Sequence, residues 1–122
     1  MMKVLIVDDE PLVRRSLEKV FTRGGHQVVT AEDGHQGVEA WNKEKPEAVV
    51  IDVLMPGLSG PEVIQEVKPS ADTAIILISA YSGDYNPESV KQLGADLFVE
   101  KPFENIQDIV SQLEELKSSK TS

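Results

Sequence analysis

The chain has 122 residues, no cysteine and a formal net charge of −9, from 12 lysine and arginine residues against 21 aspartate and glutamate residues. This length is typical of one domain and is sufficient for a buried core without disulfides, while the missing cysteines exclude disulfides, thiolate metal sites and cysteine nucleophiles. The negative charge argues against nucleic-acid binding by this chain, because such a surface needs lysine and arginine to neutralise phosphates.

The first part of the chain predicts two strands, each followed by a helix. A continuous apolar run at residues 4–7 indicates a strand buried on both faces. The run is too short for a signal peptide or a membrane span, so we expect a soluble, cytoplasmic protein. A weaker strand is predicted at residues 28–29, and a weaker helix around residues 34–43. The first helix is predicted from a stripe that ends before Gly24-Gly25: Val13, Leu17, Val20 and Phe21.

The same alternation continues to the end of the chain. Three apolar runs predict further strands: residues 48–51, 74–78 and 97–99. A helix is predicted around residues 60–68, and another runs from the N-cap Asn86, followed by proline, to Gly94. The clearest helical stripe comes last: Ile106, Ile109, Val110, Leu113 and Leu116.

A strand and a helix are therefore repeated five times. Because strand–helix–strand crossovers are right-handed, this order predicts an α/β fold, a doubly wound (βα)5 domain with a five-stranded parallel sheet and helices on both faces. We find no internal repeat and no interdomain linker. Residues 1–122 are interpreted as a single domain, whose polar tail at residues 117–122 is expected to fray.

Polar residues follow four of the predicted strands. They are Asp8 and Asp9 after the first strand, Asp52 after the third, Ser79 after the fourth and Lys101 after the fifth. Because open α/β sheets bind ligands at the carboxyl ends of their strands, we expect these side chains at one rim. Carboxylate oxygens suit Mg²⁺ or Mn²⁺ rather than zinc. Phosphoryl transfer requires mainly positioning and charge neutralisation, which three carboxylates, a cation and a lysine provide.

Each of these residues also has a purely structural interpretation. Asp8 or Asp9 could cap the following helix, and Asp52 could be a turn residue. Ser79 alone carries little information, and Lys101 alone would be a solvated surface charge. Their joint placement at strand ends of one predicted sheet favours a site.

Four segments resemble the signature segments of response-regulator receiver domains, which are the phosphorylated domains of two-component signalling. They are VLIVDDE, VVIDVLMPGLSG, ILISAY and GADLFVEKPF, in the family's order and with similar spacing. The resemblance extends from about Lys3 to Leu116. It implies a flavodoxin-like strand order of 2-1-3-4-5 and a magnesium-dependent phosphorylation switch.

The resemblance implies an acceptor and a metal site. Asp52 matches the aspartate that takes a phosphoryl group from a kinase phosphohistidine. Asp8 and Asp9 match the acidic pair that holds Mg²⁺ (or Mn²⁺), together with a carboxylate oxygen of Asp52 and the backbone carbonyl of Leu54. The implied domain catalyses its own phosphorylation and dephosphorylation and is not an enzyme acting on another substrate.

The resemblance also implies a switch. Lys101 matches the lysine that contacts the phosphoryl group, and the bond to Pro102 is expected to be cis. Ser79 matches the switch hydroxyl, and Phe98 matches the switch aromatic, where many relatives carry tyrosine. The surface that responds is the fourth helix, fifth strand and fifth helix, at about residues 87–116.

Two variable positions beside the acceptor bear on the lifetime of the phosphorylated state. Leu54 and Tyr81 occupy them, and neither side chain can position water as a small acid or amide could. We therefore expect a comparatively long-lived phosphoaspartate.

The implied partners are a sensor histidine kinase or phosphotransfer protein, and either an output protein or an output domain outside this sequence. No contact with nucleic acid or membrane is expected of this chain. The cognate kinase, the pathway, and dimerisation on phosphorylation stay open.

Two other functions fit the pattern less well. A magnesium-dependent aspartyl-phosphate phosphatase shares the acids and the lysine, but carries its nucleophile after the first strand in an Asp-x-Asp pattern, where this chain has Asp8-Asp9. A nucleotide or flavin binder needs a glycine-rich loop there, instead of anion-repelling acids.

The remaining polar and aromatic residues are given structural interpretations. Trp41 is expected in the core, and His26 and His35 on the surface. Arg14 and Arg15 are interpreted as a solvated face of the first helix, with kinase docking there as a hypothesis.

Overall fold

Five parallel strands form one sheet, and helices alternate with them along the chain. The computed structural model describes residues 1–81, 83 and 85–121. The strands are β1 (Lys3–Val7), β2 (Gln27–Ala31), β3 (Ala48–Asp52), β4 (Ala74–Ser79) and β5 (Leu97–Glu100). The helices are α1 (Pro11–Arg23), α2 (Gly34–Glu44), α3 (Gly60–Val67), α4 (Pro87–Gln92) and α5 (Gln107–Thr121). The strand order β2-β1-β3-β4-β5 confirms the expected α/β fold.

Two core layers lie on opposite faces of the sheet. Helices α1 and α5 cover one face with buried side chains that include Phe21 and Leu113. Helices α2, α3 and α4 cover the other with Trp41, Val63 and Val90, among others. The core position expected for Trp41 is therefore confirmed, and the continuous apolar runs of β1, β3 and β4 are explained by burial on both faces.

The observed bounds differ from the predicted ones mainly at β2. This strand pairs with β1 over its whole length, from Gln27 beside Lys3 to Ala31 beside Val7. Hydrogen bonding to an established neighbour extends a strand that its own weak apolar pattern limited to residues 28–29. At the other end of the sheet, α4 stops at Gln92, and Gly94 turns the chain with a positive φ of 91°.

The described part of the polar tail is helical, because α5 extends to Thr121, and the expected fraying stays a prediction. Two lysines of α5 hold the tail against distant loops. The Lys117 ammonium donates to the carbonyl of Asp72 at 2.8 Å, and Lys120 donates to the carbonyl of Ala71 and pairs with Asp96, each at 3.0 Å. Ser122 lies outside the described residues. No helix in the described part of the chain combines the length and apolar character needed to cross a membrane.

His26 is buried, so its expected surface position is wrong, whereas His35 is exposed as predicted. The backbone N–H of Met2 donates to His26 Nδ1 at 3.0 Å, which leaves the proton on Nε2 to be donated to Glu114 at 2.7 Å. The ring also packs edge-on against Phe21. The histidine therefore joins the start of β1 to α5, a connection that its polar sequence neighbours gave no reason to expect.

Candidate functional site

The predicted polar residues meet at the carboxyl ends of the strands. Asp8 follows β1, Asp52 and Ser79 end β3 and β4, and Lys101 follows β5. All four are buried, with exposed fractions of 0, 3, 1 and 8%. Burial of charged groups is unfavourable unless they are paired, so their partners determine what this cluster can do.

The ammonium of Lys101 binds three carboxylates at once. Its Nζ lies 3.2 Å from Asp8 Oδ2, 3.1 Å from Asp52 Oδ2 and 2.5 Å from Glu10 Oε1. The interpretation of Lys101 as a lone surface charge is therefore wrong. The peptide bond that joins it to Pro102 is cis, as expected.

The loop after β1 holds Asp8 in place. Asp8 Oδ1 accepts the backbone N–H of Glu10 at 2.8 Å, and its carbonyl accepts a guanidinium N–H of Arg14 at 2.8 Å. Glu10 is the N-cap of α1, so the Asp8 side chain binds the N-cap residue itself instead of a first-turn N–H. Arg14 is correspondingly part-buried and not simply solvated, because its head group is needed at this carbonyl.

Burial dominates the electrostatics of the two inner carboxylates. Desolvation, strengthened by the charge of Asp8, raises the pKa of Asp52 to about 6 despite the hydrogen bond and charge of Lys101. Desolvation also raises the pKa of Asp8. For Lys101, burial alone would lower the pKa, but hydrogen bonds to Glu10 and Asp52 and the two buried charges outweigh it and raise the pKa above its usual range. The lysine is a permanent cation.

The donor set fits a hard cation such as Mg²⁺. Asp8, Glu10 and Asp52 each offer a carboxylate oxygen, and these oxygens lie within 4.8 Å of one another. The predicted set was Asp8, Asp9, Asp52 and the carbonyl of Leu54. Asp9 is exposed and lies outside this group, so its role and that of the Leu54 carbonyl stay predictions. Glu10 was not among the predicted ligands; its position next to Asp8-Asp9 was the only signal in the sequence.

The two predicted switch residues have different surroundings. The Ser79 hydroxyl oxygen accepts the backbone N–H of Tyr81 at 3.2 Å. Phe98 is half-buried and stacks on Tyr85, with ring centroids 4.9 Å apart and planes 13° apart. The partnership with Tyr85 was missed, because the two rings belong to different elements. Their roles as switch groups stay predictions.

Leu54 and Tyr81 are both exposed at the rim, by 63 and 59%. The backbone N–H of Leu54 donates to Asp52 Oδ1 at 3.3 Å, so the residue lies immediately beside the Asp52 carboxylate. An exposed leucine and an exposed tyrosine are thus joined through their backbones to Asp52 and Ser79, respectively.

The comparison with known proteins identifies the family to which this chain is similar. A family model described as "Response regulator receiver domain" matches residues 4–114. The chain is similar to the "Probable transcriptional regulator ycf27" of Guillardia theta, with 41% identity over 101 residues that cover 83% of this chain and 40% of the relative. It is also similar to the "Transcriptional regulatory protein AfsQ1" of Streptomyces coelicolor, with 34% identity over 84% of this chain and 45% of the relative. The chain thus spans less than half the length of these relatives.

Solved structures agree in fold. A Francisella response regulator receiver domain superposes with a TM-score of 0.84 and 25% identity, covering 98% of both chains. A CheY-like receiver domain protein from Methanospirillum hungatei superposes with a TM-score of 0.90 over 99% of this chain and 97% of the other, at 22% identity. The latter likeness concerns the fold alone.

Proposed function

Because the chain belongs to the family of response regulator receiver domains of two-component systems, we propose that Asp52 accepts a phosphoryl group from the phosphohistidine of a sensor kinase or phosphotransfer protein. The observation that carries this proposal is the buried contact of Lys101 with both Asp8 and Asp52. A cation is thereby held 3.1 Å from the buried carboxylate of Asp52.

The chemistry follows from the state of Asp52. With a pKa of about 6, its carboxylate is mostly ionised at neutral pH and is a competent nucleophile. A carboxylate oxygen attacks phosphorus, a P–O bond forms, the P–N bond of the phosphohistidine breaks, and the imidazole nitrogen leaves with the electron pair. The product is an aspartyl phosphate, and Lys101 is close enough to pair with its new oxygens.

The acidic residues would hold the divalent ion that this reaction needs. Asp8, Asp9, Asp52 and the carbonyl of Leu54 are the proposed ligands, and Glu10 is close by. When bound, Mg²⁺ (or Mn²⁺) supplies neutralisation of the phosphoryl oxygens and of the clustered carboxylates. The domain itself performs both phosphorylation and dephosphorylation and has no other substrate.

Intact mass after incubation with Mg²⁺ and acetyl phosphate tests the proposal. We expect one added phosphoryl group on the wild type and none on Asp52→Asn, because an amide cannot accept it. Omission of Mg²⁺ is expected to abolish the adduct. An adduct that persists in Asp52→Asn would place the acceptor elsewhere, and no adduct with several phosphodonors would contradict the function.

The phosphorylated state is expected to be long-lived. Leu54 is hydrogen-bonded through its backbone to Asp52 and Tyr81 to Ser79, both side chains are exposed, and neither offers a carboxylate or amide to orient an attacking water. Replacing them together, Leu54→Asn with Tyr81→Glu, is expected to speed loss of phosphate by about tenfold, since a positioned polar group assists attack by water. Decay after removal of the phosphodonor, followed by mass spectrometry, measures the rate. If the control pair Leu54→Ala with Tyr81→Ala loses phosphate as fast as Leu54→Asn with Tyr81→Glu, the faster decay would be due to the loss of side-chain bulk and not to a positioned polar group.

The output surface proposed for this switch comprises α4, β5 and α5. Phosphorylation brings a dianionic group next to Ser79 and Lys101, and the Ser79 hydroxyl would have to leave the N–H of Tyr81 to reach it. Phe98 lies in β5 and stacks on Tyr85, which precedes α4. A local change of charge thereby alters a surface that a partner can bind.

We propose two kinds of partner: a kinase that supplies the phosphoryl group, and an output function that the receiver controls. Two similar proteins are named as regulators of transcription, and this chain spans less than half of their length. We place the output in a partner protein or in a further domain, with the receiver working in the cytoplasm.

A further inference from the structure

Glu10 holds an unusual position for a glutamate. It is the N-cap of α1, yet its side chain makes no capping hydrogen bond, although N-cap side chains normally satisfy a first-turn N–H. Its backbone is fixed on both sides: the N–H donates to Asp8 Oδ1 at 2.8 Å, and the carbonyl accepts the N–H of Arg14 at 3.0 Å. A fixed backbone thus directs a non-capping carboxylate at the ammonium of Lys101, 2.5 Å away.

The three partners of Lys101 differ in exposure. The side chains of Asp8 and Asp52 are 0 and 4% exposed, whereas that of Glu10 is 57% exposed. Removing Lys101 from a buried carboxylate would leave an unpaired buried charge, which is costly. Glu10 regains water when it releases the lysine, and an exposed pair contributes little. Any new anion that binds Lys101 at this site therefore replaces Glu10 most readily.

We infer that Glu10 is a positioning residue that holds Lys101 in the resting protein and competes with the phosphoryl group for it. The inference rests on the function proposed above and adds a competitor to that site. The contact orders the lysine before phosphorylation, but the phosphorylated state must displace the glutamate. Glu10 therefore favours the unphosphorylated form.

Rates of phosphorylation by acetyl phosphate, at a Mg²⁺ concentration that saturates the wild type, test this competition. Glu10→Gln is expected to react about two- to fivefold faster, the range that loss of one exposed ion pair allows. Affinity for beryllofluoride, a non-covalent mimic of the phosphoryl group, is expected to rise by the same factor. The matched control is Glu104→Gln, which removes an equal charge from the loop after β5, where Glu104 is exposed and makes no described contact with Lys101.

A second variant separates competition from simple repulsion of the anionic donor. Glu10→Asp keeps the charge but shortens the side chain, so the fixed backbone can no longer bring the carboxylate to Lys101. Competition predicts that Glu10→Asp resembles Glu10→Gln; repulsion predicts that it resembles the wild type and would overturn the inference.

Two other results would also overturn it. One is a Glu10→Gln rate equal to that of Glu104→Gln; the other is a slower Glu10→Gln restored by more Mg²⁺, which would make Glu10 a metal ligand. Failure of the wild type to accept phosphate would contradict the proposed function and is recognised before any variant is compared.

Discussion

Asp52→Asn is expected to raise the free energy of unfolding by about 2 kcal/mol in metal-free buffer above pH 7. Burial and the neighbouring charge of Asp8 raise the pKa of Asp52 from 3.8 to about 6, and a shift of that size corresponds to about 3 kcal/mol against the ionised form. That shift already includes the favourable contact with Lys101, and part of the gain is lost because the asparagine amide is buried in turn. An uncharged side chain of equal size avoids the rest of the penalty.

The gain is expected to depend on pH with a defined sign. Folded Asp52 holds its proton up to about pH 6, whereas the unfolded residue releases it near 3.8, so the folded state binds more protons in this window. The wild type therefore loses stability as pH rises through the window, while Asp52→Asn does not. The difference between them is small at pH 4 and complete above pH 6.

Urea denaturation with a chelator present, at pH 4 and pH 7.5, measures both effects. Asp72→Asn, at an exposed loop position, is the control and should change stability little at either pH. Added Mg²⁺ is expected to stabilise the wild type more than Asp52→Asn and so to reduce the difference. An Asp52→Asn protein that is no more stable than the wild type at pH 7.5 would contradict the energetic account of the site.

Gly60→Ala is expected to destabilise the protein by about 3 kcal/mol and to disturb the acceptor. A Cβ atom at Gly60 would lie 2.4 Å from the backbone oxygen of Asp52 and 3.1 Å from its carbonyl carbon. The first residue of α3 cannot easily retreat, because the Gly60 N–H donates to the carbonyl of Val53 at 2.9 Å and Ser59 caps the helix. Overpacking against backbone therefore moves β3 or the helix, at a cost near the upper end for such changes.

Chemical denaturation and the phosphorylation rate together test this second expectation. Gly24→Ala is the matched control, since a Cβ there meets its neighbours no closer than 3.4 Å at a negative φ, and its stability should stay within about 0.5 kcal/mol of the wild type. We expect Gly60→Ala to lose both stability and acceptor activity. Unchanged stability would show that α3 can move away from Asp52 at little cost.

Most of the strands and helices could be predicted from the local pattern of apolar residues. The uninterrupted apolar runs of β1, β3 and β4 indicated burial on both faces, and the stripes of α1 and α5 indicated helices that cover a sheet. The strand order itself came from the family resemblance, because the pattern of one chain does not say which strands are neighbours. The same resemblance gave the cis bond before Pro102.

The candidate site was predictable where it depends on chain direction. Parallel strands share one carboxyl edge, so the residues at or directly after the carboxyl ends of β1, β3 and β5 had to converge there. Asp8, Asp52 and Lys101 converged for that reason. The metal role of Asp9 and the switch roles of Ser79 and Phe98 stay predictions.

The sequence by itself thus determined the element types, the rim and its charges, because apolar periodicity and strand direction are local properties. Only the tertiary structure decided the partners: Glu10 on Lys101, Arg14 on the Asp8 carbonyl, and His26 buried against Glu114. The first and last of these contacts join side chains 91 and 88 residues apart. Such a pairing depends on how separate helices and strands pack and on which carboxylate remains exposed. The residues next to a side chain along the sequence determine neither of these.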